Sequence, residues 1–179
     1  MTDAELAGRA ARGDGEAFGQ LVERHALVAR RIARAALLDP HDADDAVQDA
    51  TFSAWRHLDQ YDGARPFAPW FLRIVVNAAA DLRRRRAVRR VDQVPEAIPD
   101  PGPSPELSTD RALLRERLDV ALRTLPERHR IAVVMHDAEG FGHAEIAGML
   151  GVPEGTIRSD VFHARRALRA VLGTSEERT

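Results

Sequence analysis

The sequence predicts an all-α protein: two small helical domains, residues 1–90 and 111–179, joined by an extended acidic linker over 91–110. Three observations carry this. Apolar residues recur at threes and fours, the repeat of a helix with one buried face. No segment alternates apolar and polar residues as a half-buried strand would. And the stretch "VDQVPEAIPDPGPSPELSTD" holds five prolines and no Arg, so it cannot build a packed core.

Within the first domain, Leu21, Val22, His25, Val28, Ala29 and Ile32 mark one helix face, and Ala43, Ala46, Val47, Ala50, Ala54 and Leu58 another. Breaks are expected at "GDG" (13–15), "LDP" (38–40) and "DGARP" (62–66), where Gly, Pro and Asp favour turns. Asp42, Asp45 and Asp49, with Gln48 beside them, share a helical face. Such a patch suits a basic protein surface and repels DNA, although on charge alone a solvated face fits equally well. An aromatic cluster follows, Trp55, Tyr61, Phe67, Trp70 and Phe71, then Arg73 and the run Arg83 to Arg86 with Arg89 and Arg90. Rings beside cations can hold unstacked bases and their backbone. Trp55, Trp70 and Phe71 are expected in the core; Tyr61 and Phe67, in a loop region with Arg65, are the better DNA contacts.

After the linker, Leu113, Leu114, Leu118, Ala121, Leu122 and Leu125 define one amphipathic helix, and "ERHRIAVVMHDAEG" a second closed by Gly140. The stretch "EIAGMLGVPEGTIRSDVFHARRAL" (145–168) supplies two more. Ala147, Gly151 and Ile157 stand where a helix-turn-helix needs a small residue at the crossing, a residue tolerant of positive φ, and a branched anchor. Pro153 suits the first turn of the second helix. Glu154, Thr156, Arg158, Ser159, Phe162, His163 and Arg165 are then left for base and phosphate contacts.

Composition excludes more than it selects. The formal net charge is −2, so nucleic-acid binding requires basic residues clustered in space; all 26 basic residues are Arg. Without Cys there are no disulfides or thiolate zinc sites, which fits a reducing cytosol. The seven His include no pair of zincin spacing, so neither a metal nor a cofactor is expected. Phosphate-binding glycine motifs are missing, and no nucleophile–base pair can be assembled, so the chain is not expected to be an enzyme. No uninterrupted apolar run approaches ~18 residues, and neither export nor membrane insertion is expected. A dimeric helix-turn-helix regulator remains open on these grounds.

The segment "DADDAVQDATFSAWRHLDQYDGARPFAPWFLRIVVNAAADLRRRR" resembles the second conserved region of bacterial sigma factors, and residues 145–168 resemble their fourth. Together they resemble the extracytoplasmic-function (ECF) group, which retains just these two domains. The resemblance implies a cytoplasmic initiation factor whose partners are core RNA polymerase, promoter DNA and an anti-sigma factor. On polymerase the contacts would be the clamp helices of the largest subunit and the flap of the second largest. It implies that Asp42, Asp45, Gln48 and Asp49 dock on the clamp helices. Tyr61, Arg65, Phe67, Arg73, Asn77, Arg83 and Arg84 would hold the melted minus-ten element, Asn77 lining a pocket for a flipped base. Thr156, Arg158, Ser159, Phe162, His163 and Arg165 would read the minus-thirty-five element. The linker would thread polymerase channels, where its acidity could mimic a phosphate backbone. The chain departs from the family pattern at Asp160 and His163, where basic residues are usual, and at Pro69.

Overall fold

The computed structural model describes residues 1–91 and 110–173, which form eight α-helices and, among those residues, no strand. They are α1 (Asp3–Ala10), α2 (Gly15–Leu37), α3 (Pro40–Arg56), α4 (Phe67–Val91), α5 (Asp110–Arg123), α6 (Glu127–Val133), α7 (His143–Leu150) and α8 (Glu154–Gly173). The acidic linker and its proposed mimicry of nucleic acid lie outside the described residues.

The expected breaks coincide with capped helix ends. Thr2 and Glu5 form a capping box on α1, the Asp14 carboxylate accepts from the Ala17 amide at 3.0 Å, and that of Asp39 accepts from the Asp42 amide at 2.9 Å. Each supplies an oxygen to an amide that the first helical turn leaves without a partner. Leu38 closes α2 in the left-handed region (φ 62°), where glycine is usual, and the chain turns at once into Asp39 and Pro40. In the second domain α6 runs into one π-helical turn, Val134–Ala138, before Gly140 (φ 77°) reverses the chain.

α2 is the central helix. It packs on α1, α3 and α4 within the first domain and on α6 and the π turn of the second. Its buried face is Leu21, Ala29, Ile32, Ala33 and Ala36, each 5% exposed or less. Alanines there and at Ala43, Ala46, Ala50 and Ala54 let α2 and α3 approach closely. The apolar core continues from these residues through Phe71 and Val75 to Ile131, Met135, Ile146 and Ile157, so both domains share it.

A buried arginine fixes this junction. Arg130, 5% exposed, donates from Nε to the carbonyl of Ala35, from Nη2 to that of Ala36 (3.2 Å) and from Nη1 to that of Leu125 (2.8 Å). Ala35 and Ala36 lie in the last turn of α2, where carbonyls lack helical partners and the helix dipole favours a cation. Burial and the nearby Arg83 and Arg123 lower the Arg130 pKa from the usual arginine range. Around it, Arg31 pairs with Glu139 and Arg34 with Asp119, both at 3.2 Å, and Arg83 pairs with Glu127.

α5 is less covered than its pattern predicts. Ala121 and Leu125 are buried, but Leu113, Leu114 and Leu118 are 51%, 58% and 40% exposed. Arg130→Met should weaken docking of the second domain by about 1.5–3 kcal/mol, the range for a hydrogen-bonded charge. The expected readouts are a lower urea midpoint and a larger radius of gyration by small-angle scattering; Arg130→Lys, lacking the planar fork, should restore only part.

Candidate functional site

A cleft of about 570 Å³ opens where α3 and the short 3-10 turn Leu58–Gln60 face α4. That volume is within the range of small-ligand pockets. One wall carries Asp49, Ser53, His57 and Gln60; the other carries Trp70, Arg73, Ile74, Asn77 and Arg85. Asn77 and Arg73 are one helical turn apart on the exposed side of α4, so both point into the cleft. The Asn77 amide has no side-chain partner among the described residues, which leaves its donor and acceptor free for a ligand.

The loop bordering the cleft is held from beneath. Asp62 accepts from the Ala64 amide at 3.0 Å, and the Tyr61 hydroxyl donates to the Arg65 carbonyl. The Tyr61 ring meets Phe67 edge-on at 5.4 Å and Trp70 at 5.3 Å. Phe67 itself, expected to contact DNA, is 1% exposed and stacked on Phe71 at 5.6 Å. Its ring supports the loop and offers no face to a base, because the first turn of α4 points it inward. Of the other rings, Phe71 is buried as expected, Trp70 is half-buried, and Trp55 lies at the surface, 4.9 Å from Phe18.

On α3, Asp45, Gln48 and Asp49 form an exposed row. Asp42 departs from it: it is 4% exposed and paired with Arg86 of α4. Burial, with Asp39 and Asp45 nearby, raises its pKa above the usual carboxylate range against the opposing pull of Arg86. The arginine run on α4 is likewise engaged. Arg83 reaches Glu127, Arg84 pairs with Asp81 within its own helix, and Arg85 meets Asp49 at 3.0 Å across the cleft.

The second candidate surface is the outer side of α8. Gly151 adopts φ 67° between α7 and α8, while Ala147 and Ile157 are buried at the crossing, as the motif spacing requires. Arg158, Ser159, Phe162, His163 and Arg165 are exposed and Thr156 is half-buried. Phe162, 63% exposed, is a large apolar side chain on this face, its ring set edge-on to His163 at 5.5 Å. Arg158 pairs with Glu154 at 2.6 Å, and Arg165 donates from Nε to Asp137 at 2.9 Å, which holds that carboxylate below its usual pKa range. Arg166 and Arg169 join Arg158 and Phe162 along a groove beside His143. Their spacing along α8 was the available signal for them.

Asp160 does not face this groove. It is 3% exposed and accepts from Arg128 Nε at 2.5 Å, with His129 Nε2 at 3.2 Å. A residue that looks like a charge misplaced toward phosphates is therefore a pin between α8 and α6. From sequence alone, nothing marks Arg128 and His129 as its partners. Ser53 and His57 were likewise missed, because the cleft joins positions distant along the chain.

Both surfaces lie within segments that match known families. The family model "Sigma-70 region 2" matches residues 21–89 and "Sigma-70, region 4" matches 115–168. The RNA polymerase sigma factor NccH of Alcaligenes xylosoxydans xylosoxydans is 37% identical over 97% of this chain and 96% of its own. The ECF RNA polymerase sigma factor SigM of Mycobacterium tuberculosis is 38% identical over 96% of this chain and 85% of its own. Two solved structures superpose with a TM-score of 0.71. CnrH in complex with the cytosolic domain of CnrY is 32% identical and covers 96% of this chain and 97% of its own. The sigma factor RpoE in complex with the anti-sigma factor NepR from Bartonella quintana is 27% identical and covers 87% and 96%.

Two outcomes are expected. Asp160→Asn should cost about 1–3 kcal/mol by leaving a buried network incomplete. It should lower thermal stability while leaving upstream base preference unchanged in a binding selection. Asp42→Asn should raise the thermal midpoint at neutral pH. A carboxyl whose folded pKa is raised favours the fold when protonated and loses that advantage as pH rises through the folded value. The gain over the parent should therefore shrink as pH falls through that value and vanish below the ordinary carboxylate range, as a melting series across pH would record.

Proposed function

Since the chain belongs to the ECF group of the sigma-70 family, non-enzymatic factors that bind RNA polymerase and direct promoter-specific initiation, we propose how its two surfaces divide that work. The observation that carries the reading is the cleft in which the unengaged Asn77 amide, Arg73 and Trp70 face Gln60 and His57. Such a cleft suits an extruded base of the minus-ten element: an amide for the base edge, a ring for its face and a cation for the backbone. Tyr61 and Arg65 rim it from the loop. Holding the unpaired strand offsets the few kcal/mol needed to unstack each flipped base, so melting amounts to capture of the rarer open conformer.

Asp45, Gln48 and Asp49 are assigned to the polymerase clamp helices, with Asp42 acting through the α3–α4 junction. The uncovered apolar side of α5 is assigned to the flap. The exposed face of α8, from Thr156 through Arg165 and on to Arg166 and Arg169, is assigned to the minus-thirty-five duplex. Protein–DNA contacts there need Arg158 and Arg165 to exchange Glu154 and Asp137 for phosphate or base edges. Both solved relatives are held by partner proteins, CnrY and NepR. An anti-sigma factor holding this chain with its domains packed together follows as the regulatory partner. The site of action is the cytoplasm; among the described residues no helix is long and apolar enough to cross a membrane.

The test is reconstitution with core polymerase, transcription of fragmented genomic DNA and mapping of the starts, with permanganate footprinting of unpaired thymines. Asn77→Ala should reduce discrimination at one downstream base by about three- to tenfold while polymerase affinity stays the same. Absence of start sites, or of permanganate reactivity at them, would overturn the reading.

A further inference from the structure

His57 caps the C-terminal end of α3 on one wall of the cleft, and its ring is oriented by that helix. Nδ1 lies 2.8 Å from the Ser53 carbonyl oxygen, which also accepts the His57 backbone amide at 3.1 Å. A carbonyl oxygen only accepts, so Nδ1 must carry the hydrogen. In the neutral ring Nε2 is then left as a bare acceptor. This is the ordinary way a side chain at a helix C-terminus satisfies a terminal carbonyl, and here it also fixes the tautomer. His57 is exposed and lines the same cleft as Asn77, on the opposite wall.

From this we propose that His57 is a specificity-determining residue of the base cleft, selecting an extruded base that bears an exocyclic amine, adenine or cytosine, over one that presents a carbonyl there. The inference rests on the assignment of the cleft to a flipped base. An exocyclic amine stands furthest out on a base edge and donates to Nε2. Asn77, from the other wall, donates its amide to the adjacent ring nitrogen, which is an acceptor in both adenine and cytosine. Thymine or guanine in the same pose would set a carbonyl oxygen against the Nε2 lone pair, leaving two acceptors opposed in a partly desolvated cleft. Ser53 contributes indirectly: its carbonyl fixes which nitrogen faces the base.

The experiment uses the reconstituted holoenzyme and promoter templates carrying a pre-opened bubble whose non-template strand is randomised; bound molecules are recovered and sequenced. The parent protein should enrich adenine or cytosine at one position. His57→Ala should reduce that preference about three- to tenfold, the range of one hydrogen bond. His57→Lys, which only donates, should shift it toward thymine or guanine. Circular dichroism and core-polymerase affinity should match the parent in both variants, which separates base reading from a purely structural role. If Asn77→Ala flattens the preference and His57→Ala leaves it intact, the cleft assignment survives and the role of His57 is overturned. If neither variant changes any position, the cleft assignment falls, and the inference with it.

Discussion

The arrangement of this chain depends on a guanidinium placed at the end of a helix. α2 reaches its last turn with carbonyls that no further residue can satisfy, and Arg130 of the second domain supplies a planar fork to Ala35 and Ala36 while holding Leu125 of its own domain. Burying a cation is costly unless its donors are used, and here all three kinds of guanidinium nitrogen are used. The surrounding ion pairs at Arg31, Arg34 and Arg83 are more exposed and contribute less. With the junction set, Ile131 and Met135 complete a core begun by Ile32 and Phe71.

The same geometry governs the charged surfaces. A protein with a net charge of −2 must present cations locally to meet DNA, yet its arginine run is answered residue by residue, by Glu127, Asp81, Asp49 and Asp42. The exposed pairs at Arg84 and Arg85 are worth about 0–1 kcal/mol each, so a nucleic-acid phosphate can replace the carboxylate there at little cost, whereas Asp42 is buried beneath Arg86. The Asp49–Arg85 pair belongs to both proposed assignments, since Asp49 stands in the exposed acidic row of α3 and Arg85 lines the cleft.

Legibility differed by residue type. Helix ends were readable because Asp14, Asp39 and Pro40 act on their immediate neighbours, and the helix-turn-helix because Ala147, Gly151 and Ile157 meet a local geometric demand at fixed spacing. Aromatic residues were harder: Phe67 resembles a loop ring available to DNA, but it opens α4 and points into the core, whereas Trp55, expected inside, is 39% exposed. Asp42 shares a helical face with Asp45 in sequence and yet lies under Arg86, because α4 crosses α3 at that end.

The sequence by itself determined the all-α class and the turn chemistry, which depend on periodicity or on spacing within a few residues, and its resemblance to a known family identified the group to which the chain belongs. Only the tertiary structure decided which charges are free. Arg130 and Asp160 are pins whose partners lie on other elements, Asp42 is buried beneath Arg86 at a cost in desolvation, and the cleft brings His57, the residue that caps α3, opposite Asn77 of α4. The reason is physical: hydrophobic periodicity and capping are local, whereas a buried charge is tolerated only through the partners that packing brings to it.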